Sequence, residues 1–273
     1  MRSKSQLAGL DTELAGARSI PEGPTTHRRP TVLPRGSSAN GRPDARLEAV
    51  EVTSGGIDWD AYLPERAGTL RWRVGHGVKR GIDLVGALVG VIVLSPIFLV
   101  IGLLIRMTSP GPAFYRWCVL GHRGRPFQGY KFRSMVVDAD ERKEGVAHLN
   151  HMNGPAFKIR NDPRVTHLGQ WLRTYSIDEC PQLWSVLKGD MSLVGPRPPF
   201  PEEFETFADW HKAKLSVKPG ITCLWQILGR SDIHDFDEWV RLDLKYIEEW
   251  SLWLDFKILL RTIPAVIRGH GAY

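Results

Sequence analysis

The longest uninterrupted apolar segment of the chain runs from Leu84 to Ile105 without a charged residue. It exceeds the roughly 20 residues that a helix needs to cross the hydrocarbon of a bilayer. Pro96 lies in its middle, where proline removes a backbone hydrogen bond, and Ser95 can satisfy the freed backbone group. Lys and Arg flank the segment on both sides, and positive residues favour the cytoplasm. The pattern therefore predicts, over residues 69–108, a re-entrant helix that breaks at Ser95–Pro96, in preference to a spanning helix. A soluble core helix fits least well.

The segment that precedes this helix is polar. Residues 1–68 are rich in Pro, Gly, Ser, Thr and Arg and show no sustained hydrophobic period. Such a segment buries too little apolar surface to offset the conformational entropy lost on ordering. It has no apolar stretch near its start of the kind that marks a signal peptide. We therefore expect a disordered polar arm over residues 1–68.

After the apolar helix, the pattern changes to that of a folded catalytic domain over residues 109–273. Strands are predicted for residues 113–120 and 127–135, and the second carries Lys131 and Arg133 on one face because alternate strand residues point the same way. The helical period predicts helices over 138–148, 168–174, 201–215 and 252–263. The last helix fits a core position and a membrane surface equally well. The predicted fold class is α+β: a mostly helical, small membrane-associated domain with a few short strands and amphipathic interfacial helices.

The composition favours an anionic partner. The formal charge of +6 and the pI near 9.3 suit a nucleic acid, a membrane surface or a phosphorylated substrate. The basic residues form no stripe, and nucleic-acid binding would leave the apolar helix unexplained, so we expect no nucleic-acid partner. The sequence carries no motif of several other kinds of site. The three cysteines have the spacing of neither a zinc site nor a disulfide framework. No P-loop, GxSxG or HExxH motif is present.

Two adjacent carboxylates, Asp178 and Glu179, form the most informative polar segment. Pro181 is tolerated only in a first helical turn, so a helix should begin close to the pair and end at Lys188–Gly189. Ser176, three residues before Glu179, fits a capping box. A helix N-terminus favours negative charge and phosphate. An ordinary capped helix explains this segment equally well when it is considered alone.

The surrounding residues favour chemistry at phosphorus. Asp178 stays ionised at neutral pH and could act as a nucleophile, giving a labile acyl phosphate. Glu179 could hold Mg²⁺, which prefers carboxylate and phosphate oxygens. Phosphoryl transfer depends mainly on positioning and on charge stabilisation. The candidate phosphate-binding residues are Lys131, Arg133, Arg173 and Arg197, the last fixed between Pro196 and Pro198.

From about Lys79 onward, the chain resembles the bacterial monotopic phosphoglycosyl transferases of the polyprenyl-phosphate sugar-phosphotransferase family. The segments that carry the resemblance are Lys79-Arg-Gly-Ile-Asp83, Ser95-Pro96, Lys131-Phe-Arg-Ser-Met135, Leu172-Arg173, Ser176-Ile-Asp-Glu-Cys-Pro-Gln-Leu183, Lys188-Gly-Asp-Met-Ser192 and Val194-Gly-Pro-Arg-Pro198. Three more segments resemble the hexose-1-phosphate subgroup that starts exopolysaccharide or O-antigen synthesis: Pro219-Gly-Ile-Thr-Cys-Leu-Trp-Gln226, Gly229-Arg230 and Trp250-Ser-Leu-Trp-Leu-Asp255.

The resemblance implies an undecaprenyl-phosphate hexose-1-phosphate transferase on the cytoplasmic face of the bacterial inner membrane. A UDP-sugar would pass its sugar-1-phosphate to Asp178 and release UMP, and undecaprenyl phosphate would then accept the group. Glu179 would be the magnesium-linked partner, and Ser95–Pro96 the re-entrant turn. Lys131, Arg173 and Arg197 carry over as phosphate contacts, while Arg133 matches less well.

Several alternatives stay open at this point. Only the last three segments favour galactose or glucose over an N-acetylated sugar. A non-enzymatic membrane-anchored scaffold and a homodimer also remain possible. Cys180 and Cys223 stand where the family usually has Leu and Gly, and Cys223 would be strained if its position required a positive φ.

Overall fold

The computed structural model describes residues 56–228, residue 233 and residues 235–269. Most of the predicted polar arm, and the Gly229–Arg230 segment, lie outside these residues. The end of the arm is packed, because residues 56–68 contain two 3-10 turns, Asp60–Tyr62 and Glu65–Gly68, and Trp59 is buried in a core cluster. The folded part therefore begins before the boundary at residue 69 that the sequence suggested.

The apolar segment lies in one long helix, α1, which spans Leu70–Thr108 and is capped by the side chain of Thr69. Pro96 lies inside α1 and has no N–H to donate to the carbonyl of Ile92. The hydroxyl of Ser95 donates to that carbonyl instead, at 2.8 Å. The helix therefore continues through Pro96. The sequence predicted a break into two helices at Ser95–Pro96, and the structure does not show that break. The re-entrant path itself stays a prediction.

An antiparallel hairpin follows α1. Its strands are β1 (Phe114–Leu120) and β2 (Pro126–Phe132), and both are close to their predicted positions. The second strand ends earlier than predicted, because the backbone beyond Arg133 bonds elsewhere. Ser134 accepts from the N–H of Thr166, and Val136 donates to the carbonyl of Arg164. This exchange of partners joins the end of β2 to residues 164–166, which precede the carboxylate segment.

The carboxylate segment begins after helix α2 (His167–Thr174). A 3-10 turn over Ile177–Gln182 contains Asp178 and Glu179 and continues into α3 (Leu183–Lys188), which Gly189 ends with φ 95°. The predicted helix near the pair and its predicted end are therefore confirmed. The predicted capping box is wrong: Ser176 has φ 52° and its side chain makes no cap bond. A residue in the left-handed conformation does not direct its hydroxyl at the following turn as an extended N-cap residue does.

The rest of the domain consists of short elements and two longer helices. These are β3 (Ser192–Val194), α4 (Pro201–Glu205), α5 (Asp209–Lys212), a 3-10 turn (Ala213–Ser216), β4 (Gly220–Thr222), α6 (Leu224–Leu228), α7 (Phe236–Glu249) and α8 (Leu252–Arg268). Strand β3 pairs with β4 in parallel. The helix predicted over 252–263 is confirmed and continues to Arg268, whereas the charged helix predicted over 138–148 is a 3-10 segment, Glu141–Leu149.

The single helix predicted over residues 201–215 is wrong, because the chain restarts within it. Glu203 accepts from the N–H of Phe200 at 3.1 Å, and His211 accepts from the N–H of Ala208 at 3.2 Å. Each of these side chains caps a helix start of its own. The segment therefore folds as α4, α5 and a 3-10 turn.

Candidate active site

The two carboxylates lie where β2 and α2 meet the 3-10 turn. Asp178 is buried, with 7% of its surface exposed, and Glu179 is partly exposed. The 3-10 turn packs against β2, which presents Lys131 to it. The Lys131 Nζ atom lies 2.7 Å from Glu179 Oε1. The structure therefore brings one predicted phosphate-binding cation into direct contact with the carboxylate pair.

Arg173, at the end of α2, is the second cation of this site. Its Nε donates to the hydroxyl of Ser134 at 2.9 Å. Burial lowers the pKa of the Arg173 guanidinium, and the negative charge of Asp178 is the strongest influence that opposes this, with Glu179 contributing less. Asp178 and Arg173 thus interact electrostatically in a poorly solvated environment, where charge interactions are stronger than in water.

A further ion pair, between Arg164 and Asp162, interacts electrostatically with Arg173. Arg164 binds both carboxylate oxygens of Asp162, with Nη2 at 2.6 Å from Oδ2, and both side chains are almost fully buried. Burial alone would raise the pKa of Asp162. The hydrogen bonds from the side chain and backbone of Arg164, together with its charge, outweigh burial and hold this pKa below its ordinary value.

This pair predicts an acid-dependent contribution to stability. Because the folded-state pKa of Asp162 is depressed, its contribution is present above the unfolded pKa of about 4 and is lost as the pH falls through the folded value. The Asp162→Asn variant should therefore lose stability by a constant amount above about pH 5, and by less in more acidic solution. Denaturant titrations of both proteins at several pH values measure this difference. A difference that stayed constant, or grew, toward acidic pH would contradict the assignment.

Arg197 lies on a tightly held loop. Gly195 donates to the carbonyl of Thr222 and Gly220 to that of Pro196, each at 3.0 Å, so the backbone on the N-terminal side of Arg197 is fixed by β4. Its Nη1 lies 3.4 Å from Glu203 Oε2, a long ion pair. Pro196 and Pro198 are buried on either side of it. The structure thus shows the rigid, proline-bracketed arginine, paired with Glu203.

The structure does not place Arg133 as the sequence suggested. Its guanidinium is buried and donates to the carbonyl oxygen atoms of Ser109, at 2.8 Å, and of Pro110. These carbonyls follow the end of α1, where helical hydrogen bonds run out. Arg133 therefore joins the end of α1 to the end of β2 and is not brought to Glu179.

Two contacts of the site were missed in the sequence. Ser134 orients Arg173, and the indole ring of Trp117 lies under Lys131, with Nζ 4.2 Å from the ring centroid. Ser134 belongs to the same short segment as Lys131, but only the fold shows that it faces α2. Trp117 could have been found from the hairpin, since a short basic turn fixes which residues of the two strands face each other.

Neither Cys180 nor Cys223 adds a nucleophile to the site. Burial, followed by the nearby charges of Asp178 and Glu179, raises the pKa of Cys180 to about 11, so the thiol stays protonated at neutral pH. Cys223 is fully buried, and it is not among the residues with positive φ. The strain considered for Cys223 is therefore absent.

Comparisons with known proteins find similar sequences. Residues 74–269 match the family described as bacterial sugar transferase. The chain is 48% identical over 194 residues to galactosyl transferase CpsE of Streptococcus agalactiae, covering 71% of this chain and 43% of that protein. It is 38% identical over 216 residues to the exopolysaccharide production protein ExoY of Rhizobium meliloti (78% and 95%). It is 44% identical over 206 residues to the undecaprenyl-phosphate galactose phosphotransferase of Salmonella typhimurium (72% and 42%). The matched region therefore spans less than half of the first and third relatives and nearly all of ExoY.

Proposed function

The chain belongs to the bacterial sugar transferase family, and on that premise we propose that it transfers a sugar-1-phosphate from a UDP-sugar to undecaprenyl phosphate. UMP is the second product, and the lipid-linked sugar starts an exopolysaccharide or O-antigen repeat unit. The observation that carries the proposal is the buried Asp178 beside the Lys131–Glu179 pair and Arg173. The names of two relatives favour galactose as the sugar.

The reaction has two displacements at one phosphorus atom. A carboxylate oxygen of Asp178 attacks the phosphorus that bears the sugar, and the bond to the UMP oxygen breaks, so UMP leaves with the electron pair. An oxygen of undecaprenyl phosphate then attacks the same phosphorus, and the bond to Asp178 breaks. Each step forms one P–O bond and breaks one, and Asp178 returns to its carboxylate form. Arg173 and Lys131 neutralise the charge on the phosphoryl oxygens.

The carboxylates also fit a magnesium ion that arrives with the substrate. Among the described residues there is no cluster of three or more His, Cys, Asp or Glu side chains that could hold a metal. Mg²⁺ is commonly bound by one or two carboxylates together with substrate phosphates and water, and Asp178 and Glu179 offer that donor set. We propose that Glu179 binds it; when bound, the ion would neutralise the diphosphate of the donor.

Packing along α1 supports a path that enters and leaves the membrane on one face. Before Pro96, the domain contacts α1 at Gly90, where an added Cβ atom would lie 3.0 Å from Leu183. After Pro96, the domain contacts α1 at Phe98, whose ring centroid lies 5.4 Å from that of Phe132. The residues between, 91–97, span only about 10 Å, far less than the roughly 30 Å of hydrocarbon. A spanning path would place the domain itself inside the bilayer. We propose instead a shallow insertion from the cytoplasmic face of the inner membrane.

Helix α8 supplies a second surface suited to lipid. One face packs in the core through Ile258 and the buried Asp255. The opposite face exposes a continuous apolar row: Trp253, Phe256, Leu260, Ile263 and Ile267. Their spacing of three and four residues is that of one helix face, and the basic residues Lys257 and Arg261 lie on the same helix. We propose that this row lies in the membrane interface, so that α8 serves both the core and the lipid surface.

The proposed activity is tested by incubating the purified protein with undecaprenyl phosphate, Mg²⁺ and a panel of UDP-sugars that includes N-acetylated ones. We expect UMP release that requires the lipid for continued turnover and that prefers one sugar, with the matching lipid-linked product. A preference for an N-acetylated donor would contradict the assignment of galactose or glucose. Vesicle binding without turnover of any donor would contradict the enzymatic proposal and favour a membrane-anchored scaffold.

A further inference from the structure

A tryptophan lies beneath the lysine of the site. The Lys131 ammonium is in contact with two groups at once: Glu179 Oε1 at 2.7 Å, and the face of the Trp117 ring, whose centroid is 4.2 Å away. Trp117 is 7% exposed and packs in a cluster of buried apolar residues, with the ring of Phe200 edge-on at 5.2 Å. The ring is therefore held firmly while the lysine remains partly open to solvent.

The register of the hairpin explains this geometry. Trp117 on β1 pairs with Gly129 on β2, and Lys131 follows two residues later on the same face of β2. A Cβ atom on Gly129 would lie 2.1 Å from Trp117 Nε1, so the indole lies flat across a position that only glycine leaves open. The ring thereby reaches the diagonal neighbour, Lys131.

Hydrogen bonding does not account for the placement of the ring. Trp117 Nε1 is buried and has no hydrogen-bond partner in the part of the chain that the structure describes. Apolar packing holds the ring, and its negative face attracts the Lys131 ammonium, an attraction that grows as the pair is shielded from water. This attraction restricts the ammonium to the side of the site where Glu179 lies.

We propose that Trp117 is a positioning residue that holds the Lys131 ammonium against Glu179 and so sets the phosphate-binding cation before the donor arrives. The consequence for catalysis rests on the proposed function, whereas the contact itself can be observed without turnover. In this proposal Trp117 acts through Lys131, whose ammonium lies 4.2 Å from the centroid of its ring. Gly129 is the second member of the arrangement, because it leaves room for the indole.

The contact is tested by NMR of the detergent-solubilised protein with ¹³C-labelled lysine. Protons over an indole face are shielded, so the ε-methylene signal of Lys131, identified by its absence in Lys131→Met, should lie upfield. We expect the signal to return to the ordinary lysine position in Trp117→Leu and to stay upfield in Trp117→Phe, although less so. An unshifted Lys131 signal in the unmodified protein would overturn the proposal.

The catalytic consequence is tested by a double-mutant cycle. We expect Trp117→Leu and Gly129→Ala each to lower kcat/KM for the UDP-sugar roughly ten-fold, and Trp117→Phe to retain much of the activity. In a Lys131→Met background, Trp117→Leu should change kcat/KM by less than about two-fold, because the effect passes through the lysine. Equal losses with and without Lys131 would show a purely structural role and overturn the proposal.

A matched control removes a tryptophan that faces a cation elsewhere in the chain. Trp210 lies partly buried against Arg241, whose guanidinium carbon is 6.0 Å from its ring centroid, in a different part of the core. We expect Trp210→Leu to leave kcat/KM within about two-fold and the Lys131 signal unmoved. An unmodified protein that shows the upfield signal but transfers no sugar phosphate would contradict the proposed function alone, while the Trp117–Lys131 contact would stand.

Discussion

Replacing Asp178 with Asn is expected to reduce UMP release from the UDP-sugar by at least about a thousand-fold, because an amide cannot serve as the attacking oxygen. The change keeps the shape of a side chain that is almost fully buried, so the fold should survive it. The measurement is initial-rate UMP release by both proteins, with thermal unfolding recorded in the same detergent. Residual release within ten-fold of the unmodified protein would exclude Asp178 as the nucleophile.

The control for this experiment is an acidic residue outside the site. Asp209 is largely exposed and pairs with Lys212 at 2.8 Å on the short helix α5. Asp209→Asn removes the same charge by the same chemical change, and we expect UMP release within about two-fold of the unmodified protein. A loss comparable to that of Asp178→Asn would mean that net charge, and not the nucleophile, controls the rate.

Removing the ammonium of Lys79 is expected to produce the largest loss of stability among single substitutions at the base of α1. Lys79 Nζ lies 2.7 Å from Asp255 Oδ2 and 3.0 Å from the carbonyl oxygen of Val194, and both partners of the ion pair are nearly buried. Asp255 also accepts from Tyr246 and Trp250. In Lys79→Met the buried carboxylate would keep only these neutral donors, at a cost of about 3–5 kcal/mol. For a protein of this size we expect the midpoint of thermal unfolding to fall by about 10 °C.

The matched substitution is Lys188→Met. Lys188 pairs with Asp190 at 2.9 Å, but Lys188 is 43% exposed and Asp190 27% exposed, so the loss should stay below about 1 kcal/mol. Comparing the thermal unfolding midpoints of Lys79→Met and Lys188→Met separates the effect of losing a buried ion pair from the effect of removing a lysine. Equal shifts would contradict the view that the Lys79–Asp255 pair fastens α1 to the domain.

The three predicted phosphate-binding cations are each already oriented by protein groups. Lys131 is fixed by Glu179 and Trp117, and Arg173 by Ser134. Arg197 is fixed by its loop and by Glu203. Orientation before the substrate binds lowers the reorganisation needed when charge develops on the phosphoryl group. In the proposed reaction the same arrangement would suit phosphate binding in both displacements, since each uses the same phosphorus.

Local sequence patterns correctly predicted the helices and strands that depend mainly on the spacing of neighbouring apolar residues. The long apolar run gave α1, the helical spacing of apolar residues gave α8, and the two strands near residues 114–132 were located to within a few residues. The position of Asp178 and Glu179 in a first helical turn is predictable because Pro181 is tolerated only near a helix start. Whether the re-entrant path also holds depends on a membrane, so it stays a prediction.

The failures have long-range causes. Arg133 alternates with Lys131 in the strand, yet it bonds carbonyls at the end of α1, more than twenty residues away, and no local pattern reveals those. The prediction of one helix over residues 201–215 is wrong because the side chains of Glu203 and His211 each cap the first turn of a separate helix. Ser176 and Glu179 have the spacing of a capping box, but the backbone at Ser176 adopts the left-handed conformation, which is incompatible with that motif.

The most direct test of the account is to look for the sugar phosphate on Asp178. The protein would be incubated with the UDP-sugar and Mg²⁺ in the absence of undecaprenyl phosphate, quenched in acid and analysed by peptide mass spectrometry. The account predicts a peptide that contains Asp178 and is heavier by one sugar phosphate, together with one equivalent of UMP, and the loss of this adduct when the lipid is added. UMP release that begins only when the lipid is present, with Asp178 never modified, would mean direct transfer between the substrates and would contradict the account.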